Sequence, residues 1–288
     1  MSNTEFKDKF IGFVDILGWK EKVKAAESGA AMSLSELKAA LKDLGKPEDA
    51  NRFKNGPLTC PKSTYVQRDL DFQLTRISDC VLVSAEISPA GVINLLNHCW
   101  VAVIELLTKG IMCRGYITRG TIYHTNEPEI IGSGFQDALD REHQVSAFKR
   151  KADERGTPFV EIDRTVCDYV RGCGDSCVKE MFSRYVKNDG VVTALFPFKR
   201  LRHSFIVASW WPGYKFDPEN EKQSNENIRS SIVKMKDRVS ELVDRSNADA
   251  VSKAEHYIAA LEAQLEVCKE TDEMIDKLCT TFPKRTKK

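Results

Sequence analysis

Two short apolar runs, each carrying a single carboxylate near its end, constrain this chain more than any other feature. Phe13-Val14-Asp15-Ile16-Leu17-Gly18 follows the apolar Phe10 and Ile11, and Thr75-Arg76-Ile77-Ser78-Asp79-Cys80-Val81-Leu82-Val83 is the second. Runs rich in β-branched and aromatic residues read as buried strands. An aspartate at the end of such a strand loses solvation unless something positive compensates it. Two of them side by side point to a divalent cation. Hard carboxylate oxygens suit Mg²⁺ or Mn²⁺, and such sites commonly combine one or two carboxylates with substrate phosphates. That is the chemistry of phosphoryl or nucleotidyl transfer. Taken singly, either aspartate reads equally well as a turn former. The motifs that follow favour the pair.

Residues 9–17 read as a first strand, and Ala30 to Leu44 as a helix, with Leu34, Leu37, Leu41 and Leu44 at helical spacing and Gly45 as its stop. The polar, Pro- and Gly-containing stretch Lys46 to Ser63 reads as a loop. Tyr65 to Ile87 reads as two strands joined at Ser78-Asp79, which puts Asp79 at a hairpin tip. Ser88-Pro89 opens a helix that runs to Lys109. A strand follows from Ile111 to His124, then a Gly-led helix from about Phe135 to Lys151, a strand from Pro158 to Ile162 and a short helix from Asp163 to Val170. Asn188-Asp189-Gly190 is a turn between two short strands within Tyr185 to Phe196. Gly213 to Asn225 reads as irregular, and 226–246 and 250–279 as two final helices, the second with an apolar stripe of Ile258, Leu261, Leu265 and Cys268. Strand–helix–hairpin–helix–strand order predicts an α+β fold with a ferredoxin-like βαββαβ core and appended C-terminal helices.

A chain of 288 residues accommodates one large domain or one domain with an appendage. A formal net charge of +1 gives no global field for nucleic acid or an anionic membrane, so neither is an expected partner and any anion site is local. The N-terminus shows no signal-peptide core. The longest apolar stretch, Val92 to Leu107, is interrupted by polar residues and reads as a core helix rather than a membrane span. With nine cysteines, an odd number, and no export signal, the expected setting is a reducing, cytoplasmic one. Cys167, Cys173 and Cys177 lack the spacing and nearby histidine of a zinc site. The scattered histidines, His98, His124, His143, His203 and His256, read as structural, and the basic C-terminal tail from Pro283 as a solvated end.

Phe13-x-Asp15-Ile16-x-Gly18 resembles the first metal-binding segment of the class III nucleotidyl cyclases, and Ser78-Asp79 their second. Arg114-Gly115-Tyr116-Ile117-Thr118-Arg119-Gly120 looks like their following strand, and Glu129-x-x-Gly132-x-x-Phe135-Gln136-x-Ala138 like the segment that closes the site. The likeness spans residues 9–163. Its details are most similar to the bacterial pyrimidine cyclases of Pycsar antiphage defence, which share the Arg-Gly strand, the Gly-led helix with an acidic end (Gly132 to Glu142 here) and a later Asp-Gly turn (Asp189-Gly190 here). The resemblance implies a catalytic domain over residues 1–200 and a C-terminal helical extension over 201–288. It implies a homodimer that converts UTP to cyclic UMP, or CTP to cyclic CMP, and a separate effector activated by the product. Two departures bear on the reading. The family's Asn and Arg on the helix after the Gly segment fall here on Gln136 and Asp140, and the Lys that purine cyclases commonly place four residues before the second Asp falls on Thr75.

On this resemblance, Asp15 and Asp79 hold two Mn²⁺ or Mg²⁺ ions, with the Ile16 carbonyl as a further ligand. Backbone N–H groups of Ile16, Leu17, Gly18 and Trp19 face the β- and γ-phosphates, Gly18 allowing close approach. The transition-state cation is an arginine, with Arg119, Arg114 and Arg141 as candidates. Arg114 and Arg119, five apart on one strand, face opposite ways. Arg76 and Glu129 are candidates for contacts to the base, and Tyr65 or Phe72 for stacking on it, with core packing the stronger reading of both aromatics. Competing readings are a purine nucleotide cyclase, an inactive cyclase-like nucleotide-binding module, and a palm-type nucleotidyltransferase or cyclic dinucleotide synthase.

Overall fold

The computed structural model describes residues 5–46, 48–54, 68–125, 129–198 and 215–281. Strand β1 (Lys7–Ile16) is followed by α1 (Trp19–Glu27), α2 (Leu34–Leu44) and the short α3 (Asp49–Phe53). The hairpin β2 (Phe72–Ile77) and β3 (Cys80–Glu86) leads into α4 (Pro89–Thr108) and β4 (Cys113–His124). Then come β5 (Ile130–Ile131), α5 (Ser133–Glu142), β6 (Val160–Ile162), α6 (Arg164–Gly172) and α7 (Ser176–Tyr185). The hairpin β7 (Val186–Asn188) and β8 (Thr193–Leu195) precedes two long helices, α8 (Pro218–Leu242) and α9 (Ala248–Thr281).

The sheet order is β2-β3-β1-β4-β6-β8-β7, with β5 pairing on β4. β1 is antiparallel to β3 and β4, and β2 is antiparallel to β3. These four strands and their connecting helices are a split βαββαβ unit, so the fold is α+β, as expected. β6 extends the sheet parallel to β4. Alternation along β1 divides the core. Phe10, Val14 and Ile16 join α2 and α4 in one cluster, while Ile11 and Phe13 join Leu82 and Ile122 under Ala138 of α5. Asp15 belongs to the second face, with its cross-strand neighbours Cys80 and Arg114.

Several boundaries depart from the sequence expectation for local reasons. α2 starts at Leu34 rather than Ala30 because Ser33 and Glu36 form a capping box, the Ser33 N–H donating to Glu36 Oε2 at 2.8 Å. α5 stops at Glu142 rather than Lys151. The chain doubles back there, the Thr157 N–H donating to the Val145 carbonyl at 3.0 Å. Helix α8 begins at Pro218 inside the stretch read as irregular, because Asp217 accepts from the Glu219 N–H at 3.1 Å and Pro218 takes the first helical position. The sequence reading missed α1, which buries no residue, and α7, which Asp175 caps. It also placed α3 within a loop. Residues Tyr65, Cys60, His203 and the basic tail lie outside the described residues.

Helix α4 is long and apolar enough to cross a membrane by length and composition, but it is mostly buried inside the fold, in keeping with the core helix expected from the sequence. Helices α8 and α9 share a core with the sheet: Tyr116 and Phe159 cluster with Ile232, Met235 and Val239 of α8 and with Tyr257 and Leu261 of α9. The Tyr257 ring stacks on Phe159 at 5.6 Å. The cysteines of the described residues are free thiols.

Two consequences are measurable. A Cβ on Gly115 would lie 2.2 Å from the Phe13 carbonyl oxygen, a backbone atom of the paired strand. Gly115→Ala therefore destabilises the β1–β4 pair by about 3 kcal/mol or more, read by chemical denaturation. Burial also holds two histidines neutral: His98 is pushed down to about 4 and His124 to about 3. The His124 ring lies between Thr75 Oγ1 (3.0 Å) and Ser84 Oγ (2.9 Å). The unfolded chain binds protons at these sites from about pH 6.5 downward and the folded chain does not. Their stabilisation is thus complete above that value and falls away toward pH 4 and 3, by on the order of 2–3 kcal/mol per imidazole at about pH 4.5. Protonation of Asp15, pushed up to about 7, acts in the opposite sense over the same range, so the check is a comparison. In thermal melts from pH 7.5 to 4.5 the wild type should lose more stability than His124→Asn, and an equal loss would contradict the assignment.

Candidate active site

The hairpin and β1 bring the two aspartates together. Asp15 pairs across the sheet with Cys80, and Asp79 is the residue before Cys80 in the turn. The Ile16 N–H donates to the Asp79 carbonyl at 3.1 Å, which fixes the turn against the end of β1. The turn is two residues long, Ile77 pairing with Cys80, and Ser78 adopts the left-handed region with φ 55°.

Negative charge accumulates here. Burial, then Glu142, then Asp79 push Asp15 up to about 7, against the opposing pull of Arg114. Burial and the same three carboxylates push the Cys80 thiol up to about 12. Glu142, 1% exposed, ends α5 and pairs with Arg114 Nε, while His143 Nδ1 lies 2.8 Å from its other oxygen. Sequence reasoning noted Glu142 only as an acidic helix end. Its signal was its spacing: Gly134, Ala138 and Glu142 form the buried face of α5, and an acid at that spacing announces a buried charge.

The chain then turns into α1. Gly18 is left-handed, φ 68°, and α1 opens without a side-chain cap. The first N–H groups of a helix have no intrahelical partner. The expectation for this loop is narrowed, because the Ile16 N–H is taken by Asp79 and the Leu17 N–H donates to the Met112 carbonyl at 2.9 Å. Gly18 and Trp19 are the residues left to present backbone N–H groups.

Of the other candidates, the fold brings only Arg114 to Asp15. Arg76 points to the opposite face of the sheet, where its guanidinium donates to the Leu41 carbonyl at 3.0 Å. Arg119 also lies on that face, five strand residues from Asp15 (roughly 17 Å), bonded twice to Asp8 at 3.0 and 2.7 Å. Arg141 faces Tyr116 and Asp163 at a separate cavity of about 800 Å³. Glu129 is exposed beside β5, whose Ile130 pairs with His124 at the far end of β4. Phe72 is core, stacked on Phe53 at 5.2 Å. Gln136 and Asp140 are exposed on the outer face of α5. In a single protomer, therefore, Arg76, Arg119, Arg141 and Glu129 do not converge on the aspartates: strand alternation and strand length separate Arg76, Arg119 and Glu129 from them, and Arg141 is turned from α5 toward Tyr116 and Asp163.

No three His, Cys, Asp or Glu side chains converge as a self-sufficient metal centre among the described residues. Two carboxylates in a crowded negative field fit a divalent ion whose shell is completed by phosphate oxygens.

Neither a family model nor a curated protein matches the chain. Among solved structures, the chain is similar to the catalytic core of a rhodopsin-guanylyl cyclase with converted specificity, determined in complex with ATPαS. The TM-score is 0.38 and the identity 14%, over 67% of this chain and 98% of that one. It is also similar to a class III adenylyl cyclase-like ATP-binding protein from Pseudomonas aeruginosa, with TM-score 0.34 and 10% identity over 62% of this chain and 40% of that one.

Proposed function

We propose that this chain is a pyrimidine nucleotide cyclase that converts UTP to 3′,5′-cyclic UMP and pyrophosphate. The observation that carries the reading is the juxtaposition of Asp15 and Asp79 at the end of one strand and the adjoining hairpin turn. The sequence resemblance over residues 9–163 supplies the reaction class. Asp15, Asp79 and the Ile16 carbonyl hold two Mn²⁺ or Mg²⁺ ions, which when bound lower the pKa of the ribose hydroxyl and neutralise triphosphate charge. The ribose 3′-oxygen loses its proton to solvent and bonds to the α-phosphorus. The bond from that phosphorus to the bridging oxygen breaks, and pyrophosphate leaves with the electron pair. Gly18 and Trp19 present backbone N–H groups to the phosphates, and Gly18 leaves room for their approach.

Arg114, engaged by Glu142, positions the carboxylate end of the site rather than meeting the transition state. Arg119 and Arg141 stand away from Asp15 in their own protomer, and in a homodimer either acts across the interface. Thr75, at the purine-cyclase lysine position, spends its hydroxyl on His124, so no cation stands there to read a purine. The enzyme acts in the cytoplasm, and its product signals to a separate effector in antiphage defence. A second reading, a nucleotide-binding module without turnover, is favoured by one observation: Gln136 and Asp140 replace the family's catalytic Asn and Arg and are both exposed.

Initial rates with UTP, CTP, ATP and GTP in Mn²⁺ test the base assignment. The expected result is the largest kcat/KM for UTP. A preference for CTP moves the product to cyclic CMP, and a preference for ATP or GTP overturns the pyrimidine reading.

A further inference from the structure

A cavity of about 480 Å³ adjoins Gly18, between α1 and the bend that joins α8 to α9. Leu17, Gly18 and Lys22 form one wall, and Asp244, Asn247 and Lys253 the other. Both lysines are half-buried, and neither makes an ion pair or hydrogen bond to a described residue. Burial pushes both ammonium groups down from the ordinary lysine value, and Arg114 adds to this at Lys253. A desolvated cation without a partner is costly, and an entering anion offsets that cost. The carboxylates nearby do not neutralise the lysines directly. Asp244 accepts from the Ser246 N–H (2.9 Å) and hydroxyl (2.6 Å), Asp249 lies one turn before Lys253, and the exposed Glu21 lies beside Lys22. They do keep the empty cavity from being net positive, which favours an anion that arrives with a divalent ion over a bare one. The charged neighbours of Lys253 include Arg114 and Glu142, the same groups that face Asp15. Leu17 and Gly18 of the cavity wall follow Asp15 directly along the chain, two and three residues on, so the cavity lies beside the end of β1 that carries the aspartate.

We infer that Lys22 and Lys253 hold the polyphosphate tail of the substrate, and then the departing pyrophosphate, in this cavity. The C-terminal helices are thereby a wall of the active site of their own chain. The inference deepens the cyclase reading and rests on it.

Calorimetric titration of the full chain with pyrophosphate in Mn²⁺, beside steady-state rates on UTP, is the test. Lys22→Gln and Lys253→Gln should each weaken pyrophosphate binding by about tenfold or more and raise KM for the triphosphate similarly, without lowering the melting temperature. Lys253→Arg, which keeps the charge, should retain most of the binding; if it loses as much as Lys253→Gln, the effect is one of packing and the inference falls. Cyclisation by the wild type with unchanged pyrophosphate binding and KM in both glutamine variants overturns the inference and leaves the cyclase reading standing. Pyrophosphate binding that depends on both lysines, with no triphosphate cyclised, supports the anion site and removes the cyclase reading instead.

Discussion

Asp15→Asn and Asp79→Asn are each expected to reduce cyclic nucleotide formation by about 10³-fold. The size follows from what the two carboxylates are asked to do. Each supplies hard oxygens to ions whose remaining ligands come from substrate, so an amide in place of either removes charge where the triphosphate's own charge must be balanced. The same substitution has an opposite effect on the fold. Asp15 stands in a field set by burial, Glu142 and Asp79, and like charges held together oppose each other's ionisation. Metal-free Asp15→Asn should therefore be more stable than the wild type at pH 8, by on the order of 1 kcal/mol. Rate and melting temperature measured on one preparation check both. An inactive and destabilised Asp15→Asn would mean that the aspartate is a structural residue.

Arg114→Ala is expected to be the most damaging single change near the site, costing about 3–5 kcal/mol of stability. Glu142 is 1% exposed and its carboxylate relies on the Arg114 guanidinium. Removing one partner of a buried ion pair leaves the other charge desolvated and unmatched, whereas replacing both by apolar groups often leaves stability nearly unchanged. Arg114→Met combined with Glu142→Leu should then regain most of the stability that Arg114→Ala loses, as read by chemical denaturation. If the double variant also regains turnover, Arg114 acts only in positioning. If the single Arg114→Ala variant is as stable as the wild type, the ion pair is not what holds α5 to β4 at this end.

Asp15 and Asp79 were legible in the sequence because each interrupts an apolar, β-prone run, a pattern that only a turn or a site explains. The split βαββαβ order was legible for a similar reason: apolar alternation and capping residues such as Ser88-Pro89 mark the elements. Side-chain direction was less so. Arg76 and Thr75 are neighbours in sequence, and only the Ile77–Cys80 register shows that Thr75 shares the face of Asp15 while Arg76 does not. That Arg114 and Arg119 face opposite ways was legible from their spacing, but only the pairing of Asp15 with Arg114 shows that Arg119 is the one on the far face. Helix α1 escaped because it buries nothing, so no apolar stripe announces it. Lys253 escaped because its relation to Arg114 and Glu142 is made by the packing of α9 on the core, more than a hundred residues away in the chain. Tertiary proximity of that kind leaves no local pattern in the sequence.

The most direct test of the central claim is mass spectrometry of the products formed when the full chain is incubated with the four ribonucleoside triphosphates and Mn²⁺, with Asp79→Asn in parallel. The account predicts a 3′,5′-cyclic monophosphate and an equal amount of pyrophosphate from a pyrimidine triphosphate, and neither from the variant. Recovery of all four triphosphates unchanged by folded, metal-loaded protein, or a product linking two nucleotides, would contradict it.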